Sequence, residues 1–358
     1  MTLLPIMGRY VVGAVLKYTL LVMLVLMILS GLYLFITQQD EIGTGDYQVA
    51  DAFLFVALNL PQNAFEILPI GALIGALLGL GNLARSSELI VMRAAGVSVA
   101  RIAAWVGLAG IVLAAGTWVL GEYAAPQLEA YAQELKTMKR FQQFARAGTR
   151  GAWAKDGDTF ISVQQQSAEN QFSGIYVFQF DAERRLQALG RASTAKVGAN
   201  NEWVLENYSE TTFTPEGIKV RREAESVLNT RLAPEFLGLA SVRPSQLASR
   251  DLYAYVVHLK ENGLESAVFE TAFWARIART ASLIVVVMLA VPFSFGSLRS
   301  SGAGARMVVG ILLGAVFFLL AQLLENGGQV FSLDPIVIAW GPTALLALTA
   351  AIAIARTR

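Results

Sequence analysis

Six apolar stretches, each close to the length of about 20 residues that an α-helix needs to cross the hydrocarbon core of a bilayer, divide this sequence and leave it little freedom in how to fold. They cover residues 11–36, 53–83, 102–120, 280–295, 307–324 and 336–354, and the fourth is expected to begin nearer Phe273. Hydrophobic residues make up 55% of the 358 positions and charged residues 15%, too apolar a balance for one water-soluble core. The first stretch runs well past the length of a signal-peptide core and has no small-residue cleavage pattern before Asp40, so it reads as a retained span.

Orientation follows from the short connecting loops, because cationic residues resist transfer across the membrane. Arg9 precedes the first span; Arg85, Arg93 and Arg101 follow the second; Arg299 and Arg306 follow the fourth; Arg356 and Arg358 end the chain. Residues 37–52 and 325–334 hold Asp40, Glu41, Asp46, Asp51, Glu325 and Asp334 and no Lys or Arg. The alternation puts both termini in the cytoplasm and the long segment 121–272 outside, in the periplasm of a Gram-negative cell.

That segment changes character. Residues 159–163, 174–180, 203–208 and 217–220 are short runs rich in β-branched and aromatic residues, separated by turn signals at 156–158, 198–201 and 215–217. Such spacing predicts an all-β domain of the sandwich or jelly-roll kind. Ile175, Val177 and Gln179 alternate with Tyr176, Phe178 and Phe180, so this strand is apolar on both sides. It fits either a central strand buried on both faces or the wall of a greasy groove. Residues 249–262 return to helical spacing, with Leu252, Tyr255, Val256 and Leu259 on one face. The chain thus divides into residues 1–135, with three spans and a short cytoplasmic helix near 85–96; residues 136–245, the β-domain; and residues 246–358, a helical lead-in and three further spans.

Two sets of residues stand out within the spans. Gly71, Gly75 and Gly79 recur every four residues in the second span, and Gly310 and Gly314 repeat the device in the fifth. Small residues at this spacing let another helix approach closely, whether from the same chain or another subunit. Between the second and third spans, Ser86 or Ser87 can cap a short helix, Glu88 suits its positive end and Gly96 can end it. Arg85, Ser87, Glu88, Leu89, Met92 and Arg93 then form a helix more apolar than a solvated connector requires. It fits a turn lying on the headgroups or a helix docked into a cytoplasmic partner.

Charges in or near the spans are few. Lys17 can snorkel to the inner boundary and Glu325 lies at the outer end of its span. Glu66 sits deeper, with Asn59, Gln62 and Asn63 between Pro61 and Pro69; this pattern fits a proton site or, preferably, a kink facing a polar cavity. On the outer side Lys136, Lys139, Arg140, Arg276 and Arg279 run against the usual charge bias. They are either a solvated face or contacts to the phosphates of a lipid-like ligand.

Several chemistries are excluded. The chain has no cysteine, and so no disulfide, thiolate metal site or cysteine nucleophile. No lysine directly follows a glycine, which removes the phosphate-binding G-x-x-x-x-G-K loop, so ATP and Mg have no place in this chain. His258 is the single histidine, which excludes most zinc sites, and no metal or catalytic residue is expected. The net charge of +1 gives no field for nucleic acid.

The sequence also resembles a known family. Arg9-Tyr10; Leu77 to Gly81 running into Ser87-Glu88-Leu89 and Val91-Met92; Gly121-Glu122 and Ala125-Pro126-Gln127; Trp153 to Gly157; Arg184 to Gln187; and Phe295-Gly296 with Leu298-Arg299-Ser300 are similar, in order and over nearly the whole chain, to the LptF/LptG-type permeases of the lipopolysaccharide-transport ABC exporter, on the LptG side. The resemblance implies a non-catalytic subunit of the bacterial inner membrane, paired with a paralogous LptF-like permease. It implies two LptB-like cytoplasmic ATPases that bind ATP and Mg and receive the helix around Glu88. It also implies LptC/LptA-like periplasmic bridge proteins. Lipopolysaccharide would enter from the outer leaflet, with the first and fifth spans as gates, and leave through the β-domain along Ile175, Tyr176, Val177 and Phe178. Some members carry lysines near the outer end of the first span, where this chain has Leu34, Asp40 and Glu41. The phosphate role therefore passes to the five outer cations. Two other plans compete: a mechanotransmission subunit that moves no substrate, and a proton-coupled secondary transporter centred on Glu66.

Overall fold

The computed structural model describes residues 5–145, 152–168, 171–181, 183–197, 203–214, 217–228, 230, 243–295, 303–330 and 333–356. The loop cations Arg299 and Arg358, the turn residues 198–201 and 215–216, and the stretch 296–300 lie outside the described residues, as does the side chain of Arg306.

The helical elements are α1 (Ile6–Thr37), α2 (Val49–Arg85), α3 (Glu88–Ala94), α4 (Val99–Val119), α5 (Ala125–Ala145), α6 (Ser249–Glu261), α7 (Ala267–Phe295), α8 (Ala303–Val330) and α9 (Pro335–Arg356). Among the described residues, six helical segments are long and apolar enough to span a membrane, and they overlap the six apolar stretches in order. The third does not stop at the end of its apolar stretch: a π-helical turn at Leu120–Ala124 joins α4 to α5, which carries the helix onward through Lys136, Lys139 and Arg140. The fourth starts at Ala267, earlier than its apolar core requires.

α2 holds its helix through Pro61 and Pro69. Each proline removes a backbone donor, and the polar residues nearby bond within the helix. Asn59 Nδ2 donates to the Phe55 carbonyl at 2.7 Å, Asn63 Nδ2 to the Asn59 carbonyl at 2.9 Å, and Gln62 Nε2 to Glu66 Oε1 at 2.8 Å. A hydrophobic half-span can therefore carry four polar side chains without leaving their polar groups bare in lipid.

Contacts divide the chain into two compact units: residues 1–136, 244–253 and 267–358, and residues 137–243 with 254–266. The first unit is built on a core shared by α1, α2, α3, α4, α7 and α9, with Leu73, Leu77, Leu80, Ile102, Val106, Leu283 and Val287 among its innermost side chains. The second unit is a six-stranded antiparallel sheet in strict sequence order, β1 (Ala152–Asp156), β2 (Thr159–Ala168), β3 (Gln171–Phe180), β4 (Leu186–Val197), β5 (Trp203–Thr214) and β6 (Gly217–Leu228). Its register stacks like with like: Ile161 opposite Val177, Val163 opposite Ile175, Ile175 opposite Ala192, Ala195 opposite Leu205 and Val197 opposite Trp203. These residues fill one face, with Phe172 stacked on Trp203 at 5.2 Å.

The two sides of β3 are not equivalent. Ile175 and Val177 are fully buried in that packed face, while Tyr176, Phe178 and Phe180 are half-buried on the other. The second row is aromatic: Phe178 stacks on Trp153 at 5.5 Å, Phe180 meets Phe160 edge-on at 5.4 Å, and the Arg191 guanidinium lies 5.7 Å from the Tyr176 ring. Ile175 and Val177 are close-packed core, while Tyr176, Phe178 and Phe180 retain accessible surface on the other side.

Within the same unit, the helical face foreseen in α6 is buried at Tyr255, Val256 and Leu259. Asn262, just after the helix, accepts from Lys155 Nζ through its carbonyl at 2.9 Å and from the Gly157 N–H through Oδ1 at 2.7 Å. This clamps the end of α6 to the β1–β2 turn.

Candidate functional site

Glu88 opens α3, and its carboxylate is already engaged. Ser86 Oγ donates to Glu88 Oε1 at 2.7 Å, and the Tyr10 hydroxyl of α1 hydrogen-bonds the same carboxylate. Neither serine caps the helix through its side chain; Ser87 instead takes a left-handed backbone, φ 62°, to turn the chain out of α2. Gly96, at φ +89°, closes the helix as expected. The docking face differs from the one read off the sequence. Leu89 and Met92 are only 1% and 7% exposed and pack into the core with Val97, Ile102 and Leu83. The outward face carries Arg85, Ile90, Val91 and Arg93, with Val91 65% exposed. The Arg93 guanidinium lies 5.7 Å from the Phe295 ring, and a cavity of about 330 Å³ opens between α3 and the end of α7.

The glycine stripe of α2 faces α1 within the same chain. A Cβ at Gly71 would strike Met23, one at Gly75 would fall on the Thr19 backbone, and one at Gly79 would lie 3.1 Å from the Ala14 carbonyl oxygen. The glycines of α8 face the same helix from another side: a Cβ at Gly310 would come within 3.0 Å of Ile74 and Leu77, and one at Gly314 within 3.0 Å of Ile70. α2 is therefore the post on which α1 and α8 both lean.

Three of the five cations foreseen as phosphate contacts have partners inside the first unit. Lys136 Nζ pairs with Glu41 Oε2 at 2.6 Å and lies 4.7 Å from the Phe55 ring. Arg276 is only 7% exposed and donates to the Leu247 carbonyl at 2.7 Å and the Ser245 carbonyl at 3.4 Å, tying the segment before α6 to α7. Arg279 Nη2 pairs with Glu325 Oε1 at 3.1 Å. Arg276 is thus a structural tether with no surface for a phosphate, which corrects its assignment. Lys139 and Arg140 follow on α5, half-buried. Glu66 shares with Arg279, Glu325, Gln322 and Thr343 a cavity of about 30 Å³, room for a water or two. A carboxylate bonded to Gln62 beside so small a cavity suits the polar-kink reading of Glu66 better than an ion path.

With this geometry in place, the family model for the lipopolysaccharide export system permease LptF/LptG matches residues 9–356. The chain belongs to the LptF/LptG permease family. It is 32% identical over 340 residues to the lipopolysaccharide export system permease protein LptG of Haemophilus influenzae, covering 95% of each chain. It is likewise 32% identical over 341 residues to LptG of Escherichia coli K12, again covering 95% of each. To LptF of Escherichia coli K12 it is 22% identical over 355 residues, covering 93% of this chain and 90% of that one. Membership in a permease family and six apolar helices make this a multi-pass membrane protein.

The family's six-span plan is least buried at α1 and α8. Leu20, Leu24, Ile28 and Leu32 on α1, and Ile311, Leu312, Leu319 and Leu323 on α8, present apolar surface that this chain does not cover. Sequence reasoning missed Tyr10 as the partner of Glu88, Thr19 as the seat of Gly75, and Gly110, where a Cβ would lie 2.7 Å from Ile284 Cα. Gly107 and Gly110 on α4 carried a faint signal at the spacing of three residues.

Proposed function

We propose that this chain is one of two related permease subunits of an ATP-driven lipopolysaccharide exporter in the bacterial inner membrane. In this reading the termini and α3 are cytoplasmic and the sheet is periplasmic, as the loop charges favour. The observation that carries it is the pair of uncovered apolar faces on α1 and α8, both seated on α2. A second permease set against these faces would enclose an apolar chamber between the two chains, with α1 and α8 as its movable walls. Moving an acyl chain from lipid into water costs about 0.8 kcal/mol per methylene, so such a chamber must be apolar and the driving force must come from ATP.

The outward face of α3 is the surface for one of two ATPase subunits, which bind ATP and Mg. Its contact to Tyr10 links that surface to α1. Beyond the membrane, the half-exposed aromatic row at Tyr176 and Phe178 is the part of the sheet suited to a lipid chain or to a periplasmic bridge protein. Lys136, Lys139, Arg140 and Arg279 are the cations we assign to lipid phosphates, since Arg276 is buried against backbone carbonyls.

Photocrosslinkers placed at Leu24 and Leu319 test the reading. Lipopolysaccharide and the paired permease are the expected captures, with the lipopolysaccharide adduct changing when ATP is supplied. Capture of bulk phospholipid alone, indifferent to ATP, would refute it.

A further inference from the structure

α7 and α9 each contain an interior proline, Pro292 and Pro342. Each lacks an amide donor, so its helix forgoes one backbone hydrogen bond there. α7 packs extensively on α9 but only sparsely on α8, and the space left between α8 and that pair is a groove of about 510 Å³. Both prolines line it, with Leu313, Phe317, Leu346 and Thr349 among the other walls. Its size falls in the range of about 300–1,000 Å³ typical of small-molecule sites.

Depth and direction identify the occupant. Along α9 the lining runs from Pro342 to Ala353, about 16 Å at 1.5 Å per residue. That matches half of a hydrocarbon core of about 30 Å, the reach of one leaflet's acyl chain. The groove occupies the later parts of α7 and α9, on the side of the membrane where α3 lies: α7 ends at Phe295, beside Arg93 of α3. Val316 and Leu345 are exposed at its rim, so it opens on the surface of the chain. Three residues past Ala353, one turn on along the same helical face, α9 carries the exposed Arg356. An apolar slot of one-leaflet length ending at a cation has the charge and shape of a phospholipid. An empty slot would forfeit the dispersion contacts of its walls.

We propose that this groove binds a glycerophospholipid of the leaflet on the α3 side, one acyl chain lying between α8 and the α7–α9 pair and the phosphate meeting Arg356. The lipid is a resident wedge that sets how far α8 stands from its neighbours, separate from any transported substrate.

Native mass spectrometry of the full chain, released from nanodiscs of phosphatidylethanolamine and phosphatidylglycerol free of lipopolysaccharide, tests this. One tightly held phospholipid is expected. Arg356→Gln should lower its retention about tenfold, the loss of one charge-assisted contact. Thr349→Trp, which fills the groove, should abolish retention, and Leu348→Trp on the open bilayer face should leave it unchanged. Equal retention in all four proteins would overturn the proposal, as would a photocrosslinker at Leu345 that captures another polypeptide in place of phospholipid. Should Thr349→Trp fail to fold, Arg356→Gln decides, since it alters no packed side chain. No lipopolysaccharide is present, so failure here leaves the export reading standing.

Discussion

The Arg279 guanidinium meets the Glu325 carboxylate at 3.1 Å and so joins α7 to the C-terminal part of α8, the least buried of the six candidate spans. Each side chain is 24% exposed, which places the pair between a solvated surface bridge and a buried one. Arg279→Ala should cost about 1 kcal/mol, and the double exchange Arg279→Glu with Glu325→Arg should recover most of it. Thermal unfolding in detergent measures both; equal loss in the single and double variants would show that the pair is not the tie.

The glycine seam predicts a graded response. Gly75→Leu forces a side chain into the Thr19 backbone and should cost about 3 kcal/mol, enough to prevent recovery of folded protein. Gly79→Ala, whose added methyl meets the Ala14 carbonyl at 3.1 Å, should cost about 1 kcal/mol. Yield and thermal midpoint in the same detergent give the order.

The two faces of α3 should separate stability from coupling. Leu89→Ala empties a core position and should destabilise the protein by about 2–5 kcal/mol. Val91→Glu, on the outward face, should leave the midpoint unchanged while abolishing ATP-driven lipopolysaccharide release. Glu88→Lys should also lose coupling with the sheet intact. Tyr10→Phe removes the link to α1 and should reduce coupling without weakening ATPase binding, read by pull-down against transport in proteoliposomes.

On the sheet, photocrosslinkers at Tyr176 and Phe178 should capture lipopolysaccharide during export, whereas Ile175→Ala should destabilise the sheet by about 2–5 kcal/mol. Capture from Ile175 at wild-type stability would show that the packed face opens in transport.

Acid should loosen the second unit through His258. Burial holds its imidazole below the ordinary value of 6.5, against an upward pull from Asp156 and Glu261. The unfolded chain therefore binds more protons, so this contribution is complete above pH 6.5 and declines as pH falls below it. Hydrogen-exchange protection factors in β1 and α6, taken relative to the intrinsic rate at each pH, should fall between neutral pH and pH 5, and His258→Gln should remove that share of the change. Asp181, drawn down by the Arg185 amide and guanidinium, adds a loss at lower pH still.

Six spans and the β-rich insertion were legible in the order of residues. A bilayer makes length and charge into one-dimensional signals: about 20 apolar residues cross it and arginines stay behind. The motif residues that carried the family resemblance were legible for the same reason, being local runs. Three-dimensional structure alone decided which face of α3 is outward, that the glycines of α2 and α8 are spent inside the chain, and that Arg276, Lys136 and Arg279 already have partners. Those outcomes depend on residues far apart in the chain, such as Arg279 and Glu325, 46 positions apart. Helical periodicity names the face of a helix but not the neighbour it meets, and a cation's role is set by the nearest opposite charge in space.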